Sequence, residues 1–351
     1  VIRVIVDAVR GFGESNCRSE YSSALSAIPE KLEYAWSQRP PITEWVPFKQ
    51  QLLVTPGNGS ISTIEAVCYQ FLTNPERLNI ISSRRDWLGQ RFIELLIEQG
   101  YPITVCPFEK HEEKLKWAKS VDPDLAVLYG SDETCKLYEQ QLDLRTRVVK
   151  YGSKTSIGVH FIYPEQEDYV ERFVQEYAKD FFSYDGTGCL NTSVLYIVGS
   201  GSGLKSYRYF VEGLVSERDC YIDKRTIPTN RVAQLSAKMV QSGVDFYQNQ
   251  GVFLRETTDS FDTIGSGNGT AVIVPCRFED VLNEWESRGR YLSSATLFAT
   301  SNSFDYVSQR LFNLGVSRIA RPGSAQSPTK RWKHDGMSLI PVWGREVGFD
   351  L

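Results

Sequence analysis

Short apolar runs and amphipathic stretches take turns along the first 160 residues of this chain, and that alternation limits the fold more than any other feature. Gln51–Thr55, Asn79–Ser82, Ile103–Val105, Leu125–Tyr129 and Arg147–Lys150 have the length and apolar character of strands. Between them lie segments with helical spacing. Trp87, Leu88, Phe92, Leu95, Leu96 and Ile97 line one face of Asp86–Gln99, and Gly100 stops it. Ser62, with Glu65 three residues on, reads as the N-cap of a helix through Phe71. His111–Ser120 and Glu133–Gln140 supply two more helices. Strand and helix alternating at this spacing predict parallel strands joined by crossover helices, an open α/β sheet.

The second half repeats the theme less regularly. Strands are expected at Ile157–Ile162, Ser193–Val198, Gly251–Leu254, Ala271–Val274, Ala295–Ala299 and Ile319–Ala320. Helices are expected at Glu165–Lys179, Ser206–Val215, Ile227–Gln241, Phe278–Ser287 and Phe304–Leu314. Two α/β lobes meeting near residue 155 follow, with a polar tail after residue 325. The chain starts Val-Ile-Arg-Val-Ile-Val-Asp, a strand-like opening to a 50-residue extension that the pattern does not assign.

Composition narrows the function classes. A formal charge of -4 gives no basic surface for gripping nucleic acid. The longest apolar run, Val194–Val198, ends at Gly199 and is far too short to cross a membrane. With no basic-then-apolar leader either, a cytoplasmic protein is expected. Seven dispersed cysteines without a CxxC fit reduced thiols, and three scattered histidines give no zinc pattern, so no metal is expected.

Three segments carry groups suited to chemistry. In Tyr184–Ser193, Cys189 ends a glycine-rich turn before an apolar strand, where backbone N–H groups beside a thiol can cradle an oxyanion. Most cysteines in such places are simply small buried residues. Leu128–Thr134 joins a strand to a helix through Gly130 and Ser131, a turn that either aims N–H groups at a pyrophosphate or merely caps the helix with Ser131. Ser82, Ser83, Arg84 and Arg85 bring two hydroxyls and two guanidiniums to a strand end, suited to the extra phosphate of an NADP-type ribose or to a solvated helix start. No GxGxxG follows the strand near residue 54, and Gly199–Ser206 lacks the P-loop spacing.

Taken in order, these segments resemble the aldehyde dehydrogenase superfamily, and within it the LuxC-type acyl-CoA reductases. Pro56-Gly57-Asn58 after a strand is similar to the family's N-terminal Asn motif, and Leu128–Thr134 to its Gly-Ser turn. Lys150–Gly158 resembles the reductases' Tyr-Gly-His-x-x-Ser-like stretch, and Gly315–Gly323 with Trp332 and Asp335-Gly336 their C-terminal segment. The resemblance implies two lobes with the active site in the cleft between them. Residues 1–155 form the cofactor lobe, 156–325 the catalytic lobe, and 326–351 a tail returning to the cleft or to an interface. It further implies that Cys189 attacks an acyl thioester and that the Asn58 amide and the Cys189 N–H hold the oxyanion. Gly130, Ser131, Thr134 and Gly152 are expected to support the cofactor, with Ser82 to Arg85 near its adenosine ribose. Lys150 stands where oxidising relatives carry the glutamate that activates water, which suits reduction. No lysine stands near Ile80, where relatives grip the ribose.

The expected activity is therefore NAD(P)H-dependent reduction of an acyl-CoA or acyl-carrier-protein thioester to a fatty aldehyde. NADPH is the preferred cofactor and NADH the alternative. A homo-oligomer, or a partner enzyme passing on the acyl group, is compatible with this. A cysteine acyltransferase or thioesterase without hydride transfer, and a catalytically silent binding protein, are the competing expectations. The aromatic set Phe173, Tyr177, Phe181, Phe182, Tyr184, Tyr207, Tyr209 and Phe210 reads either as an acyl tunnel or, more commonly for such a stripe, as core.

Overall fold

The computed structural model describes residues 2–16, 19–38, 45–57, 59–83, 86–162, 173–199, 204–218, 220–221, 229–241, 246–249, 252–255, 270–337 and 344–346. The chain divides into two compact units, residues 1–153 with 329–351, and residues 154–328.

Unit 1 opens with helices α1 (Ile2–Asn16) and α2 (Ser19–Ser37). The strand expected at the N-terminus is therefore a helix. Its β-branched residues favour strand in isolation, but Ile5, Val9 and Phe12 recur at helical spacing and are buried in the core of the unit. Burial of that stripe outweighs local propensities worth less than about 1 kcal/mol per residue.

After β1 (Trp45–Pro47) the expected alternation sets in. It runs β2 (Gln50–Val54), α3 (Ser60–Leu72), β3 (Arg77–Ile81), α4 (Trp87–Glu98), β4 (Ile103–Val105), α5 (His111–Val121), β5 (Leu125–Tyr129), α6 (Asp132–Glu139) and β6 (Arg147–Tyr151). Strands β2 to β6 are parallel throughout, in the order β4-β3-β2-β5-β6. The chain moves outward from β2 to β4 and then crosses back to β5 on the other side of β2. The strand order thus reverses between β2 and β5, and their C-terminal ends form the edge where open α/β sheets take ligands. Apolar clusters cover both faces of the sheet, α1, α3 and α4 on one and α5 and α6 on the other. Local signals were partly right. Asp86 caps α4, accepting from Gly89 N at 2.9 Å, and Gly100 follows its end at φ +83°. Ser62, however, lies inside α3, whose N-cap is Gly59.

Unit 2 contains β7 (Thr155–Phe161), α7 (Val174–Phe182), β8 (Thr192–Val198), α8 (Leu204–Arg218), α9 (Thr229–Gln241), β9 (Phe246–Asn249) and β10 (Val252–Arg255). It continues with β11 (Ala271–Cys276), α10 (Phe278–Glu286), β12 (Leu292–Phe298), α11 (Ser301–Leu314) and β13 (Arg318–Ala320). Its sheet has the order β13-β12-β7-β8-β11-β10-β9, parallel except for β9 against β10. β7 and β8 lie side by side near its middle and are almost wholly buried. Of the aromatic set, Tyr177, Phe181, Phe182 and Phe210 are fully buried in one cluster with Leu195, Leu254 and Ile273. These four are core and line no tunnel, because they interlock α7 and α8 with the sheet. His160 is core as well. Burial lowers its pKa to about 3, and its Nδ1 pairs with Tyr177 Oη at 2.8 Å. The expected polar tail instead yields β14 (Gly344–Glu346), paired antiparallel with β1 in unit 1.

Candidate active site

Cys189 stands in the connection from α7 to β8, and the backbone there is held from several sides. Ser183–Gly186 makes one 3-10 turn with Tyr184 at φ +55° and Gly186 at φ +64°. A non-glycine residue in the left-handed region is uncommon and survives only where its surroundings enforce it. Asn191 provides much of that enforcement. Its side-chain N–H2 donates to the carbonyls of Asp180, Phe181 and Ser183 at 3.0 to 3.2 Å, and its Oδ1 accepts from Gly188 N at 2.8 Å. The carbonyl of Cys189 accepts from Ser156 Oγ at 2.7 Å, and Ser156 in turn pairs with Ser294 Oγ at 2.9 Å. The residue before β8 is thus tied to β7 and, through Ser294, to β12. Cys189 itself is half-buried.

A second clamp holds the loop after β13 against the same helix end. The buried Asp180 carboxylate accepts from Gly323 N at 2.8 Å and Ala325 N at 2.9 Å. Arg318 donates to the carbonyls of Ser324 and Ala325 at 2.8 and 2.7 Å. Burial raises the Asp180 pKa to about 7, opposed by the two N–H donors and by Lys179 and Arg318. The next residue, Gln326, lays its amide against Gly188. A Cβ on that glycine would stand 3.0 Å from Asn191 Oδ1 and 3.6 Å from Gln326 Oε1. Asp180 and Gln326 did not stand out in the sequence, whereas Ser156 lies in the Lys150–Gly158 stretch and Asn191 two residues past the candidate cysteine, without a role assigned to either.

The other candidates lie in unit 1, along the edge where β2, β3 and β5 end. Gly57 faces Ser83, whose Oγ lies 3.5 Å from where a Cβ would stand, and Ser83 N donates to Thr55 Oγ1 at 3.3 Å. Ser83 therefore meets the turn after β2. Asn58, Arg84 and Arg85 lie outside the described residues. Lys114, from α5, had not been singled out. Its Nζ donates to Ser82 O at 3.2 Å and so brings a cation to an edge where no lysine was found near Ile80. Ser131 takes its plainer role. Its Oγ accepts from Thr134 N at 3.2 Å and pairs with Thr134 Oγ1 at 2.9 Å, capping α6. Gly152 is required by its neighbour, since a Cβ there would stand 2.2 Å from Asp132 Oδ1, which accepts from Ser153 N at 2.8 Å. Lys150 is exposed and held by Glu139 at 2.8 Å. Glycines at the ends of adjacent parallel strands, two hydroxyls and a lysine fit a nicotinamide dinucleotide. The first turn of α3 adds N–H groups on which Gly59 has no side chain to spend.

Unit 1 also holds a small pocket beside the end of β5, walled by Tyr69, Tyr129, Trp332 and His334, with the ion pair Lys31–Glu65 among its lining. The aromatic rings continue as a stack, Trp332 on His334 at 4.7 Å, His334 on Tyr151 at 4.6 Å and Tyr151 on Tyr129 at 4.5 Å. The C-terminal segment noted in the sequence for Trp332 and Asp335-Gly336 thus packs on the sheet of unit 1.

Among the described residues, no helix is long and apolar enough to cross a membrane. No curated protein shows significant sequence similarity to the chain. Solved structures match it in fold. An oxidoreductase from Marinobacter aquaeolei aligns with a TM-score of 0.71 and 12% identity, over 99% of this chain and 84% of that one. An NADP-dependent glyceraldehyde-3-phosphate dehydrogenase from Bacillus halodurans C-125, solved with NADP, gives 0.71 and 12% over 99% and 86%. A betaine aldehyde dehydrogenase from Staphylococcus aureus gives 0.70 and 13% over 99% and 82%. The family model for acyl-CoA reductase (LuxC) matches residues 22–263 and 269–341. The chain belongs to the LuxC acyl-CoA reductase family and has the aldehyde dehydrogenase fold.

Proposed function

We propose that this protein reduces an acyl thioester, carried by CoA or an acyl-carrier protein, to an aldehyde through a covalent acyl group on Cys189. The observation that carries this reading is a half-buried cysteine in a family of acyl-CoA reductases, held by Ser156 and Asn191 at the end of a strained turn. The Cys189 thiolate attacks the thioester carbonyl and a C–S bond forms. The carrier thiolate leaves and takes a proton from solvent. Donors at the carbonyl oxygen, Cys189 N–H and by family pattern the Asn58 amide, stabilise the tetrahedral stage, each worth roughly 3 to 4 kcal/mol. Gly57, Gly130, Ser82 and Ser83 would hold a reduced nicotinamide at the β2/β3/β5 edge, and it would supply a hydride to the acyl carbon with the Cys189 thiolate as the leaving group. At that edge Gly57 and Gly130 allow close backbone approach, and Ser131 and Thr134 hold the turn from beneath. Ser82, Ser83 and Lys114, with Arg84 and Arg85, favour the 2′-phosphate of NADPH over NADH.

The test is Cys189→Ala, supplied with acyl-CoA and NADPH. Aldehyde formation falls by at least about 10³-fold, and a radiolabelled acyl group is no longer trapped on the protein. Continued aldehyde formation by the variant overturns the proposal.

A further inference from the structure

We propose that the side-chain amide of Gln326 is a further catalytic residue, donating a hydrogen bond to the thioester carbonyl oxygen as Cys189 attacks it. The inference rests on the Cys189 reading and adds a donor that neither the sequence pattern nor the family match assigns. Gln326 Nε2 is buried and has no hydrogen-bond acceptor among the described residues. Leaving a buried donor unpaired costs about 1 to 3 kcal/mol, so its retention calls for a partner that arrives later.

Among the described residues the surroundings supply no such partner. Asn191, the other amide against Gly188, spends its N–H2 on three carbonyls and its oxygen on Gly188 N. Nor is Gln326 free to swing out as an ordinary loop side chain does. The two residues before it are gripped by Asp180 through Ala325 N and by Arg318 through Ser324 O and Ala325 O, and Ala325 is buried. Ser327 N returns to Ser324 O at 3.2 Å, closing a turn around Gln326. The backbone that carries the amide is therefore fixed, and among the described residues its donor has no acceptor. Both amide atoms lie within 4 Å of the Cβ position of Gly188, the residue preceding the nucleophile. A Cβ at 188 would crowd Asn191 Oδ1 at 3.0 Å and reach ordinary contact with the Gln326 amide, which places that amide directly beside the residue before the nucleophile. A donor fixed before the substrate arrives is the arrangement that stabilises a developing oxyanion without reorganisation.

Two variants test it, Gln326→Met, which keeps length but has no donor, and Gln326→Ala. Single-turnover acylation of Cys189 by radiolabelled octanoyl- and hexadecanoyl-CoA is compared with alkylation of the same thiol by iodoacetamide, which forms no oxyanion. Acylation falls about 10²-fold in both variants, while alkylation stays within about two-fold of the unaltered protein. Acylation and alkylation falling together would assign Gln326 to packing of the turn and overturn the inference, as would unchanged acylation. Failure of the unaltered protein to accept an acyl group from either thioester overturns the Cys189 reading itself, and this inference with it.

Discussion

The two glycine-bearing turns that stood out in the sequence, 130–134 after β5 and 184–189 before β8, satisfy their polar groups differently. The first is closed by its own Ser131 and Thr134 and by bonds to Tyr151 and Ser153 at the end of β6. Ser131 caps α6, Thr134 answers with both N–H and hydroxyl, and Asp132 and Ser153 exchange bonds in both directions. The second is held by residues outside it. Asn191 binds three carbonyls and one N–H, Ser156 takes the carbonyl of Cys189, and the Gln326 amide leaves a donor unspent. A capped turn is a support on which something else can rest, and a turn tied to β7 and to the end of α7 holds its cysteine in a fixed place.

The largest effect expected from this contrast is at Asn191. Asn191→Ala removes the donor to three carbonyls and the acceptor of Gly188 N in one step, and destabilises unit 2 by about 3 kcal/mol in urea unfolding. Asn191→Asp sharpens the test. It keeps the acceptor for Gly188 N but turns a carboxylate toward three carbonyl oxygens, so at pH 7 it is expected to be less stable than Asn191→Ala. The reverse order would mean that the Gly188 bond, and not the three carbonyl contacts, holds the turn.

This arrangement explains what could be seen in the sequence and what could not. The parallel sheet of unit 1 was legible because each strand is a compact apolar run and each helix an amphipathic stretch, so neighbours in the chain are neighbours in space. Cys189 is singled out in the sequence only through the order of motifs. The residues around it are harder to read, because Ser156, Asp180 and Gln326 converge from β7, α7 and the loop after β13, and no local signal names partners that lie from 33 to 145 positions away. The same holds for Lys114, which reaches Ser82 from two elements further along the chain. The N-terminal helix failed for a different reason, since β-branched residues carried a helical stripe and the stripe decided.

A smaller effect is expected at Lys114, on the supporting side of the comparison. Lys114→Met removes the cation beside Ser82 while leaving its methylenes to pack. Affinity for 2′,5′-ADP, measured by calorimetry, falls about ten-fold, close to 1.4 kcal/mol. Affinity for 5′-AMP stays within about two-fold. Equal losses for the two nucleotides would place Lys114 in the scaffold of α5 and remove its role in choosing NADPH.

The smallest effect is the one that separates support from reaction centre most cleanly. Ser131→Ala deletes the cap of α6 and is expected to cost about 1 kcal/mol of stability. If the turn supports a nucleotide with its backbone, as its spent hydroxyl implies, NADPH affinity then stays unchanged, because Ser131 Oγ already serves Thr134. A parallel Gly130→Ala pushes a methyl to within 3.0 Å of Thr134 Cγ2 and is expected to weaken NADPH binding more than Ser131→Ala does, although it leaves the cap in place. Affinity lost in Ser131→Ala and kept in Gly130→Ala would reverse the assignment. The hydroxyl would then be the contact, and the first turn would resemble the second in holding a group back for a ligand.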